Sequence, residues 1–104
     1  MGSVLVGLGR TLVEASRPAE ARPLLEQGLE MVREQYGEND WRTAEARYGL
    51  GLALAALRQP EEAATLLRQS VTALQPFRSA QPRLVQGATE ALAGLEAAGP
   101  SEPR

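Results

Sequence analysis

The sequence predicts an all-α fold, an α-solenoid of antiparallel helix pairs with about two and a half units and five helices. Three observations carry that prediction. The chain repeats itself at an offset of 42 residues with no gap: Gly7/Gly49, Leu8/Leu50, Gly9/Gly51, Leu12/Leu54, Pro18/Pro60, Glu20/Glu62, Ala21/Ala63, Leu24/Leu66, Leu25/Leu67 and Gln27/Gln69 are ten identical pairs. A fixed period of roughly 20 to 50 residues marks stacked supersecondary units, each of which buries its apolar face against a neighbour. The apolar spacing inside each unit is helical, and helix-start residues recur at the same place in both units.

The elements follow in chain order. Leu5, Leu8, Gly9 and Leu12 fall on helical spacing and predict a first helix. In "SRPAE", Pro18 takes a first helical position, where its missing N–H is no loss, and Glu20 meets the positive end of the dipole. A second helix follows, since Ala21, Leu24, Leu25, Gly28, Leu29 and Val32 trace one helical face. "YGEND", from Tyr36 to Asp40, supplies a glycine stop and then Asn39 or Asp40 as an N-cap, and forms the longer joint between units.

The second unit repeats the scheme. Leu50, Gly51, Leu54 and Leu57 predict its first helix, "RQPEE" starts its second, and Ala63, Leu66, Leu67, Ser70, Val71 and Leu74 form the buried face. A third unit begins, with Ala88 matching Ala46 and Leu92 matching Leu50, but it supplies a single closing helix with the stripe Val85, Ala88, Leu92 and Leu95. "AAGPSEPR" is too polar and too rich in breakers to pack, and is expected to fray. The predicted boundaries are 3–36 for the first unit, 40–76 for the second, 82–97 for the closing helix and 98–104 for a disordered tail.

Glycine inside a helix costs about 1 kcal/mol relative to alanine, so the repeated glycines of the first helices imply that side chains must be absent there. The pattern Leu50, Gly51, Leu54, Ala63 and Leu67, repeated as Leu8, Gly9, Leu12, Ala21 and Leu25, resembles the tetratricopeptide repeats, in the 42-residue variety of kinesin light chains and many bacterial proteins. The resemblance implies that Gly9 and Gly51 mark the closest approach of the two helices of a unit. It gives Gly7 and Gly49 no such role, so Gly49→Ala is expected to be neutral or mildly stabilising. Arg47 and Leu5 stand where the family often has tryptophan, Leu12 and Leu54 where it often has tyrosine, and Ser70 and Gly28 where alanine is usual. The stretch from Asn39 to Leu74 is similar to the last repeats of the cytoplasmic tails that follow the kinase domain of some bacterial serine/threonine kinases.

Composition excludes several function classes. With no Cys and no His, disulfides are impossible and metal chemistry has few ligands. No cofactor is expected. All eleven basic residues are Arg, there is no Lys or Ile, and this bias suits a GC-rich bacterial genome. The net charge is −2 and the arginines are scattered, which argues against nucleic-acid binding. "MGSVLVGLGR" is neither a signal peptide nor a membrane anchor, and Val6 stands where a myristoylation signal needs Ser or Thr, so a cytoplasmic protein is expected.

"GLGRTL" lacks the third glycine of a dinucleotide fingerprint and follows no strand. Glu61 and Glu62 are explained by the dipole of the helix they start. Ser3, Ser16, Ser70 and Ser79 have no His or Lys to act as a base, so an enzyme is not expected. Trp41 is read as packing at the joint, and Glu26 and Glu30 with Arg33 as a solvated outer face.

The expected function is a protein-interaction module. The resemblance implies a concave groove lined by the first helix of each unit, and it carries that role to Arg10, Glu14, Glu45, Tyr48, Leu52 and Glu90, with Ala53, Ala55 and Ala56 on the same side. This set lacks the lysine and asparagine pattern that clamps a C-terminal carboxylate in chaperone-binding members. The partner is a protein or peptide, with no nucleic acid and no membrane. The alternative is a structural C-terminal end of a longer array, such as a bacterial kinase tail, with no ligand of its own. Val4, Leu5 and Leu8 lack the polar substitutions of a capping repeat, so self-association through the N-terminal helix is expected if nothing else covers them.

Overall fold

The structure, a computed structural model, describes residues 1–98. Five α-helices follow one another: α1 Gly2–Glu14, α2 Pro18–Tyr36, α3 Trp41–Ala56, α4 Pro60–Leu74 and α5 Pro82–Ala98, with a short 3-10 turn at Gln75–Phe77. The expected tail at 98–104 lies outside the described residues apart from Ala98, which is the last residue of α5. Helices α1 and α2 form one pair and α3 and α4 the next, α2 packs on α3 between the pairs, and α5 lies against α4. The stack measures 45 × 30 × 20 Å.

Local chemistry sets the ends of these helices. Pro18 and Pro60 sit in the first turns of α2 and α4, followed by Glu20 and by Glu61 and Glu62. The Asp40 side chain caps α3 by accepting from the Arg42 N–H at 2.8 Å, which decides between the two cap candidates of the joint. Before it, α2 stops at Gly37, whose φ of 95° is a conformation that favours glycine.

Helices α1 and α3 end alike. Ser16 at φ 64° and Arg58 at φ 68° occupy the same place in the repeat. In each case a pair of backbone bonds closes the turn: Arg17 N–H to Leu12 O at 2.8 Å with Ser16 N–H to Val13 O at 2.9 Å, and Gln59 N–H to Leu54 O at 2.9 Å with Arg58 N–H to Ala55 O at 3.1 Å. This is the Schellman arrangement, built here on residues that carry a Cβ. Such a residue in the left-handed region costs on the order of 1 kcal/mol.

The core forms in two parts. Val6, Ala21, Leu25, Val32, Ala46, Leu50, Ala53, Leu54 and Ala63 make the larger cluster across the two pairs. Ala44, Leu74, Leu84 and Ala88 make a smaller one under α5, with Trp41, Tyr48 and Val71 packed on it. Buried polar groups are partnered, as burial requires. Ser70 Oγ donates to Ala44 O at 2.9 Å and ties α4 to α3, and Thr43 Oγ1 donates to Gly37 O at 2.6 Å and ties α3 to the joint.

The glycines explain the pairing. A Cβ on Gly9 would stand 2.5 Å from Leu25 Cγ, and one on Gly51 would stand 2.9 Å from Leu67 Cγ, so both mark close crossings within a unit. Gly49 also has a role, contrary to the expectation from the resemblance: its Cβ would meet Leu25 Cδ2 at 2.9 Å and Arg10 Cγ at 3.0 Å. It is the point where the second unit closes on the first. Gly7, its repeat partner, has nothing within 4 Å.

Other expectations are corrected by the packing. Ala53 is fully buried between the units and faces no groove, while Ala55 is half-buried and Ala56 exposed. Of the residues expected to be left uncovered on α1, Val4 and Leu8 are exposed, but Leu5 is half-buried against Gly28 of α2. In α5 the deepest anchors are Leu84 and Ala88; Val85, Leu92 and Leu95 are only half-buried. Glu26 pairs with Arg22 across one helical turn, while Arg33 pairs with Glu30 and Glu38.

These contacts give two stability predictions. Leu67→Ala should cost roughly 2–5 kcal/mol, and Leu25→Ala should lie at the upper end of that range because it empties contacts to both Gly9 and Gly49. Gly49→Ala should destabilise by about 1 kcal/mol net, and Gly51→Leu by more, since fully buried leucines cannot retreat. Gly7→Ala should stabilise by up to about 1 kcal/mol through helix propensity alone. Urea denaturation of the five variants checks the signs; a stabilising Gly49→Ala would contradict the inter-unit crossing. Separately, Arg58→Gly should raise stability by up to about 1 kcal/mol by relieving the left-handed backbone, read as a higher Tm.

Candidate functional site

The side chains proposed from sequence for a groove come from α1, α3 and α5. Glu45, Tyr48 and Leu52 share one face of α3, at i, i+3 and i+7, and Arg10 and Glu14 lie one turn apart on α1. The structure brings three of them together. Arg10 Nη1 stands 2.8 Å from Glu45 Oε2, and the same guanidinium lies over the Tyr48 ring, 5.0 Å from its centroid. The absence of a side chain at Gly49 leaves room for the aliphatic stem of Arg10, whose Cγ would lie 3.0 Å from a Cβ there.

The cluster reaches the closing helix as well. The Tyr48 hydroxyl rests against Gly87 of α5, where a Cβ would approach it to 2.6 Å. Arg10, Glu45 and Tyr48 therefore link the first helices of three successive units. Both charged members are roughly a third exposed. At that exposure the pair contributes less than about 1 kcal/mol, and the stacked cation a similar amount. Their main effect is to hold three polar and aromatic groups in fixed positions.

The other three proposed residues stay apart from this cluster. Glu14 is exposed in the last turn of α1 and has no ion-pair partner among the described residues. Leu52 is half-buried. Glu90 is exposed on α5 and accepts from Gln86 Nε2 at 3.0 Å. One base and three acids leave the whole set acidic.

A second recess was missed by the sequence reading. A cavity of about 400 Å³ lies between the α2–α3 joint and α4, lined by Glu38, Asn39, Arg47, Arg68, Gln69, Thr72 and Ala73. It includes none of the groove candidates. Arg47 bonds the Glu38 carboxylate and donates to the Glu38 carbonyl oxygen at 3.1 Å, so it fastens α3 to the joint and its charge is already matched. The available signal was Arg47 itself, a charged residue where the first unit has Leu5. At the joint, Arg42 forms another fixed stack, 4.1 Å from the Tyr36 ring centroid and 4.9 Å from that of Trp41, while holding both oxygens of Asp40.

Among the described residues, no group of three or more His, Cys, Asp or Glu is placed to hold a metal ion. None of the described helices is long and apolar enough to cross a membrane. Ser70, the buried serine, spends its hydroxyl on the Ala44 carbonyl.

No curated protein and no solved structure matches the chain. A family profile for the tetratricopeptide repeat matches residues 1–75, from the start of α1 to the end of α4. Paired helices at a 42-residue period, close glycine crossings within each pair and this match over most of the chain lead to one conclusion: the chain belongs to the tetratricopeptide repeat family, whose members generally mediate protein–protein interactions.

Proposed function

We propose that the chain is a protein-interaction module that binds a peptide or a partner helix across the surface lined by α1, α3 and α5. The observation that supports this most directly is the joining of Arg10, Glu45 and Tyr48, from two units, into one preorganised polar and aromatic spot that touches the third. Fixed side chains lose less entropy on binding than mobile ones, and tyrosine and arginine are the residues most often found at the energetic centre of an interface. Three acids against one base favour a ligand with a basic residue flanked by apolar ones.

A purely structural role at the C-terminal end of a longer array is the second reading. It is favoured by α5, which leaves Glu90 and Glu96 exposed on a helix with no following partner among the described residues. The 42-residue period supports the kinesin-light-chain-like variety. The likeness of residues 39–74 to the tails of bacterial serine/threonine kinases supports a bacterial, cytoplasmic and scaffolding setting. Self-association through the N-terminal helix would use its exposed Val4 and Leu8.

A displayed peptide library selected on the purified chain tests the leading reading. Enriched peptides should carry Arg or Lys beside a large apolar residue. Tyr48→Ala should weaken their binding by about tenfold or more, with the helical circular dichroism retained. Glu45→Arg should abolish the preference for a basic residue. No enrichment above an unrelated helical protein would favour the structural role.

A further inference from the structure

We propose that Gly87 of α5 is the positioning residue of the Arg10–Glu45–Tyr48 cluster: the space left by its missing side chain receives the Tyr48 hydroxyl and holds the ring beside the Arg10 guanidinium, so that α5 completes the site. A Cβ at Gly87 would stand 2.6 Å from Tyr48 Oη and 3.1 Å from its Cζ, separations at which the ring has to move. Leu84, Gly87 and Ala88 share one face of α5, at i, i+3 and i+4. Leu84 and Ala88 belong to the core cluster on which Tyr48 packs. The ring is therefore held by α5 at its hydroxyl end and by the Arg10 guanidinium, 5.0 Å from its centroid, over its face.

Backbone conformation does not require a glycine at this position. Gly87 lies inside α5, and the one described glycine with a positive φ is Gly37, so helix propensity alone favours alanine at 87. The Tyr48 ring is what excludes a side chain. Nor is the contact a general property of the repeat: one period earlier the matching positions hold Val6 and Glu45, and Val6 packs against Gly28 of α2 instead. A large ring opposite an absent side chain belongs to the seam between α3 and α5 and not to the one between α1 and α3. When α5 leaves this seam, Tyr48 loses its packing on Leu84 and Ala88 and can turn away from Arg10. A ligand that binds the fixed cluster more tightly than the mobile one must then favour docked α5 by the same factor, a consequence that rests on the function proposed above.

Hydrogen exchange and NMR on the full chain test the proposal without a ligand. Gly87→Ala should speed exchange of the α5 amides by about tenfold relative to those of α2. It should also shrink the ring-current shift that Tyr48 imposes on the Arg10 side-chain protons. Tyr48→Phe removes the atom nearest to the new methyl group and keeps the ring, so Gly87→Ala combined with Tyr48→Phe should recover most of both effects. Gly94→Ala is the control on the same helix: nothing lies within 4 Å of a Cβ there, and α5 exchange should slow through propensity. A purely structural effect of alanine on α5 would have the same sign at both positions and no rescue by phenylalanine. A peptide selected on the wild-type chain should bind Gly87→Ala about tenfold more weakly and regain affinity for the double variant. Unchanged α5 exchange and Arg10 shifts in Gly87→Ala, or a double variant no better than the single one, overturns the proposal. So does a peptide that needs Tyr48 yet binds Gly87→Ala as tightly as wild type. Failure to select any peptide counts against the binding reading, and the exchange and shift measurements still decide the role of Gly87.

Discussion

Leu25, held between Gly9 of α1 and Gly49 of α3, is the contact on which the rest of the stack depends. It is fully buried and belongs to the helix that faces both its own partner and the next unit. Burial of one leucine contributes roughly 1.5–3 kcal/mol, a large share of the stability of a domain this small. The two glycines each forgo about 1 kcal/mol of helix propensity to allow it. The balance favours the crossing, because a Cβ at either position would force α1 or α3 away from α2 and open the larger core cluster along its length.

Polar contacts then fix what the apolar crossings leave free. A helix pair held only by leucine and glycine could slide by a turn. Ser70 bonded to the Ala44 carbonyl sets the register of α4 on α3, and Thr43 bonded to the Gly37 carbonyl sets α3 against the joint. Both hydroxyls are buried, so breaking either bond would leave an unsatisfied group, which costs more than the bond itself contributes. Arg10 stacked on Tyr48 and paired with Glu45 plays the corresponding part at the surface, and the position of Tyr48 against Gly87 passes the alignment on to α5. The candidate binding surface is thus also the seam between units, which explains how groups far apart in sequence are held in a constant arrangement.

The two ends of the stack are chemically unlike. At the start, aliphatic side chains and an uncovered glycine repeat a surface that is fully covered one unit later. At the other end, α5 is anchored by Leu84 and Ala88 and exposes acids and small residues. Helices at equivalent places in the repeat therefore expose different chemistry, with small and acidic residues on the open face of α5 and aliphatic ones on that of α1.

The sequence by itself determined the helices, their order and their pairing. Those features are local: an apolar period of 3.6, prolines at helix starts, a capped joint and a ten-pair repeat can all be read without knowing what touches what. The role of Gly9 and Gly51 at close crossings came from the family resemblance of the residues around them, and the structure bears it out. Tertiary structure alone decided the role of Gly49, the burial of Ala53, the partial burial of Leu5 and the recess around Arg47. Residues at equivalent repeat positions have identical local sequence signals but different neighbours, since one unit has a predecessor among the described residues and the other does not. The same reason separates the groove candidates: the family resemblance pointed to Arg10, Glu45 and Tyr48 one by one, but only the crossing of α1 over α3 brought the guanidinium to the carboxylate and the ring.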